Sequence, residues 1–71
     1  MPLVFAPAGK RMKIIKIVAD DKTKKHLENL GVTLNSEIEV LSSGSSVILG
    51  VKGGRLALDS ALASKIFVVE A

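Results

Sequence analysis

Apolar and polar positions alternate in short runs along most of this chain, and the period changes to a helical one only between residues 20 and 31. The opening run Pro2-Leu3-Val4-Phe5-Ala6, closed by Pro7, reads as a short edge strand, since proline suits positions that need no ladder bond. Pro7-Ala8-Gly9 predicts a turn into the strand "RMKIIKIVA". There Met12 and Ile14 share one face while Ile15 and Ile17 share the other, and the change of phase predicts a bulge where the strand bends. In "DDKTKKHLENLG", Thr23, Leu27 and Leu30 form one stripe at helical spacing. Asp20 or Asp21 can cap this helix, and Gly31 supplies the left-handed residue that ends it. The stripe is too thin for a bundle, so the helix covers one end of something else.

Asn35 accepts the positive φ of a tight turn into the next strand, where Ile38 and Val40 point inward and Glu37 and Glu39 outward. "SSGSS" is a hairpin loop, and "VILGV" is apolar on both faces, with Gly50 marking a bend or a close backbone approach. Gly53 and Gly54 make a tight turn into a strand with Leu56 and Leu58 on one face and Arg55 and Ala57 on the other. A single turn in "DSALA", capped by Asp59, leads to the closing strand "KIFVVE", with Ile66 and Val68 inward. These elements describe a mainly β fold: one domain over residues 1–71, a small SH3-like barrel of about five strands with one short helix. Its expected core is Ile14, Leu27, Leu30, Ile38, Val40, Leu56, Leu58, Ile66 and Val68.

Composition sharpens this reading. The chain is 48% hydrophobic but holds only two aromatics, Phe5 and Phe67, so Val, Ile and Leu must build the core. It has no cysteine, hence no disulfide and no thiolate metal site. No apolar run approaches the roughly 20 residues that span a bilayer, and the first charges follow the apolar start, the reverse of a signal peptide. The expectation is a soluble cytoplasmic protein with no direct membrane insertion. Residues 1–25 hold seven Lys/Arg against two Asp, and residues 26–71 hold three against five Asp/Glu. A basic half of this kind can meet nucleic acid, but no aromatic lies among the charges to stack a base, which favours a solvated rim.

Three stretches, "PAGKRMKIIKI", "HLENLGVTLNSEIEVL" and "GGRLALDSALASKIFVVE", resemble the FeoA family in order and spacing over roughly residues 3 to 70. One departure is Leu34-Asn35 where many such sequences have Pro-Gly; asparagine keeps the positive-φ turn. The resemblance implies an SH3-like barrel that binds rather than catalyses. It implies a small accessory protein of bacterial ferrous iron transport, whose partner is the cytoplasmic domain of a GTPase-linked ferrous iron permease. A similar module occurs at the C-terminus of metal-dependent transcriptional repressors, so a standalone relative of that module is the second reading. A small basic nucleic-acid-binding barrel is the third.

The residues themselves argue against an enzyme. The lone histidine, His26, has no nucleophile at a useful spacing, and "GVKGGR" lacks the spacing and hydroxyl of a phosphate-binding loop. The same residues set the metal expectation: His26, Glu37 and Glu39 are weak candidates, and a divalent transition metal would be held weakly or between two chains. Among surface residues, Arg55 is a candidate anchor for an acidic group. Phe67 either packs beneath the N-terminal strand or, with Val69, forms an exposed apolar anchor beside Arg55. A homo-oligomer is compatible with all of this.

Overall fold

β1 (Arg11–Ile17) is paired on both sides, and the other strands are arranged around it. A computed structural model describes all of residues 1–71. After β1 come α1 (Asp21–Asn29), β2 (Glu37–Ser42), β3 (Ser46–Val51), β4 (Gly54–Asp59), α2 (Ser60–Ala63) and β5 (Ile66–Glu70). The strands form one antiparallel sheet in the order β4-β3-β2-β1-β5. The predicted bulge is present: the β1–β5 register shifts between Ile14 and Lys16, which leaves Ile15 outside. A second bulge interrupts β2 between Val40 and Ser42. Each adds local twist, and twist is what lets five short strands curl around one core.

The curl does not end in a β4–β5 ladder. α2 packs on β3, on β4 and on a 3₁₀ turn at Leu3–Phe5, and that turn packs on β5. The segment expected as an N-terminal edge strand is therefore a 3₁₀ turn. Its flanking prolines suit either form, but here Leu3 and Ala6 are needed as a plug and are fully buried. Only Pro2 bridges β5, at Phe67.

The core contains fifteen apolar residues and no buried polar or charged one. Seven of the nine residues expected inside are there; Leu56 is half-buried and Leu30 is exposed. The helix ending explains Leu30. Gly31 stands at φ +94°, the Val32 N–H donates to the Leu27 carbonyl at 2.9 Å, and the Gly31 N–H donates to that of Glu28 at 3.0 Å. This motif joins Leu27 to Val32 as its apolar pair, both at 0% exposure, and leaves Leu30 on the rim. Leu56 is half-exposed because β4 lies at an open edge. The tight turn after β3 is also displaced by one residue: Lys52 (φ 50°) and Gly53 (φ 78°) carry the positive angles, and Gly54 begins β4. Two successive positive φ values make the hairpin whose twist matches its strands.

Both helices start as expected. The Asp20 carboxylate accepts the Thr23 N–H at 2.8 Å, and the Asp59 carboxylate accepts the Leu62 N–H at 2.7 Å.

Gly31→Val should be far more damaging than Asn29→Ala. A Cβ at Gly31 would lie 2.8 Å from Val51 Cγ1, in a backbone conformation that a β-branched residue resists. Denaturant titration should show a loss above about 2 kcal/mol for Gly31→Val and within about 0.5 kcal/mol for Asn29→Ala. Hydrogen bonds from the Thr23 side chain and backbone hold the Asp20 carboxyl below its ordinary 3.8. A depressed carboxylate stabilises the fold above its unfolded pKa and loses that contribution as pH falls through the folded one. The stability difference between the native chain and Asp20→Ala should be full at neutral pH and shrink below 3.8.

Candidate functional site

With an apolar interior, the chemistry of this molecule lies on the outer face of its sheet. The alternation in β2 turns Glu37 and Glu39 outward, and strand register decides what they meet. Arg11 on β1 is opposite Glu39, Glu39 is opposite Gly50 on β3, and Gly50 is opposite Arg55 on β4. One rung thus crosses four strands with a side chain missing at its third place. On the neighbouring rung Lys13 stands between Glu37 and Val69. Arg11 Nε donates to Glu37 Oε1 at 3.2 Å, an exposed ion pair that contributes about 0–1 kcal/mol to stability.

The missing side chain opens a shallow groove of about 360 Å³, with Gly50 at its floor and the Lys52–Gly54 turn at its end. A Cβ at Gly50 would make only ordinary contacts, 3.6 Å to Glu39 Cβ and 3.7 Å to Leu41 Cδ1. Close packing therefore does not demand the glycine. Three cations (Arg11, Lys52, Arg55) and two carboxylates (Glu37, Glu39) line the groove. A second hollow between Ile17, Lys24, Glu28, Thr33 and Leu34 is about 80 Å³, too small for an ordinary organic ligand.

The metal candidates do not converge. Glu37 and Glu39 share a face, but an arginine stands among them; His26 is exposed on α1, and no three His, Asp or Glu side chains come together. The surface candidates divide. Phe67 and Val69 both face outward on β5: Val69 is 41% exposed, and Phe67 is half-buried, opposite Lys16 and bridged by Pro2. Arg55 is on β4, with three strands between it and β5 in the sheet order. β4 and β5 do not pair, so no ladder sets Arg55 beside Phe67 or Val69. What Arg55 meets is the groove, whose other members Arg11, Gly50 and Lys52 depend on a register that a single sequence does not display.

A model of the FeoA domain matches residues 1–70. A Methanocaldococcus jannaschii protein with the provisional name Fe(2+) transport protein A is 32% identical over 71 residues, 99% of this chain and 87% of that one. Among solved structures, the crystal structure of an iron uptake regulatory protein (FeoA) superposes with a TM-score of 0.90. Its identity is 26%, over 100% of this chain and 97% of that one. The solution NMR structure of FeoA protein from Chlorobium tepidum gives 0.88 at 23% identity, covering 99% of this chain and 70% of that one. A manganese-dependent transcriptional repressor gives 0.89 at 21% identity, with all of this chain matched to 41% of the repressor. The last two likenesses are of fold alone.

A metal titration checks the reading of the carboxylates. Calorimetry with Fe²⁺ under anaerobic conditions, or with Zn²⁺, should reveal no submicromolar site on the isolated chain. His26→Ala should change nothing. Any weak binding should vanish in Glu37→Gln/Glu39→Gln, because a lone carboxylate pair makes an incomplete first-row metal site.

Proposed function

Because this chain belongs to the FeoA domain family, we propose that it is a non-catalytic accessory component of ferrous iron transport, docking on the cytoplasmic domain of a GTPase-linked iron permease. The observation that carries the reading is that the whole chain is one binding-sized barrel with its reactive groups outside. No buried titratable group is available as an acid, base or nucleophile. The repressor likeness, confined to fold, favours no regulatory reading.

The docking surface is the outer face of β5. Val69 and Phe67 give it an apolar strip, and Lys13 and Lys16 border it as their cross-strand neighbours on β1. Apolar anchors with a charged rim are the anatomy of a protein interface. A docking strip on rigid strand backbone also loses little conformational freedom when it binds.

Immobilised chain should capture the purified cytoplasmic domain of the cognate permease. Val69→Asp should weaken capture about tenfold or more without lowering the melting temperature, a loss of about 1–2 kcal/mol from an interface anchor. Unchanged capture by both Val69→Asp and Phe67→Ala would remove docking from β5. No capture by the native chain would remove the permease as partner.

A further inference from the structure

The two edges of the sheet are finished differently. At β5, the Val68 N–H donates to the Met1 carbonyl at 2.8 Å and the Met1 amine donates back to the Val68 carbonyl at 2.8 Å. At β4 no second strand is paired: its only partner strand is β3, and α2 packs against it. Val51 and Gly54 close a two-residue turn, so the residues bonded to β3 are 54, 56 and 58. The N–H and C=O groups of Arg55 and Ala57 therefore point to the open side, and no backbone hydrogen bond outside the ladder uses them. An unblocked edge is a template for another strand.

We propose that the occupant is a second copy of this chain, paired β4 to β4 in antiparallel register about a two-fold axis at Ala57. The edge is self-complementary. In that register Ala57 faces its own copy, exchanging both N–H···O bonds, and Arg55 stands directly opposite the copy's Asp59. Arg55, Ala57 and Asp59 share the outer face, so each interface gains two cross-strand ion pairs. The Asp59 oxygen that caps α2 is Oδ1, which leaves Oδ2 for the guanidinium. Beyond Asp59 the strand gives way to α2, whose first residues, Ser60 and Ala61, are small and exposed. On the outer face, the half-buried Ile48 sits opposite Ala57, so the central rung becomes Ile48, Ala57, Ala57 and Ile48, apolar throughout.

One strand pair buries less than the roughly 1,200 Å² of a stable interface, so the dimer is reversible, with a dissociation constant on the order of 0.1 mM. The strip proposed for the permease is on β5, which does not pair with β4, and the two contacts use different residues.

Sedimentation equilibrium up to about 1 mM should show monomer and dimer. Arg55→Glu sets a carboxylate against Asp59 and should raise the dissociation constant at least tenfold, with an unchanged melting temperature. The absence of native cysteine gives a register-specific test. Ala57→Cys places two thiols on Cα atoms about 5.5 Å apart, within disulfide reach, and should form a covalent dimer under mild oxidant. Arg55→Cys places them about 14 Å apart and should not. A native chain that is monomeric at about 1 mM overturns the proposal, as does a dimer that Ala57→Cys fails to trap or that Arg55→Glu leaves intact.

Discussion

The fold depends on β1 serving two ladders. It pairs with β2 through Arg11, Met12 and Lys13, and with β5 along Met12 to Ile17. A flat strand doing both would leave the sheet open. The bulge at Ile15 re-aims the second half of β1, so that β5 reaches the far side of the core while Ile14 and Met12 stay beneath β2. The remaining gap is filled by the 3₁₀ turn and α2, both bringing small or compact apolar residues: Leu3, Ala6 and Ala63. No ring is needed inside. Both phenylalanines are left to the surface or its boundary, and the core is aliphatic.

A wholly apolar interior has a consequence for function. No charged residue is buried, and on the sheet it is strand register that brings Arg11, Glu39 and Arg55 onto one rung. Such a molecule acts through faces and edges. Its outer face offers a groove over Gly50 and an apolar strip on β5, and its two edges are treated unequally, one bonded to Met1 and one left open. The groove shares Arg55 with the open edge, whereas the β5 strip uses other residues, so the proposed docking and self-association draw on different side chains.

Local signals in the sequence were reliable guides. Asp20, Gly31, Asn35 and Asp59 each satisfy a backbone requirement within a few residues, and each does in the structure what its type predicts. Alternation also placed Ile38, Val40, Ile66 and Val68 correctly. Failures arose where local pattern was ambiguous or distant. Leu30 continues the Leu27 stripe by spacing, yet the helix ending gives the inward place to Val32. Val47, Leu49 and Val51 are buried, but a run apolar on both faces shows no phase. Arg55 and Val69 are fourteen positions apart in sequence, and spacing does not reveal that their strands, β4 and β5, do not pair. The same ignorance of register hid the groove.

The central claim is that recognition runs through the outer face of β5 and not through the groove or the helix. It is tested most directly by titrating isotope-labelled chain with unlabelled permease cytoplasmic domain and following amide and methyl NMR signals. The account predicts that perturbations centre on Phe67, Val69, Lys16 and Met1, while signals of Arg55, Ala57 and His26 respond only to the chain's own concentration or not at all. Perturbations centred on Arg55, Gly50 and Glu39, with β5 silent, would contradict it.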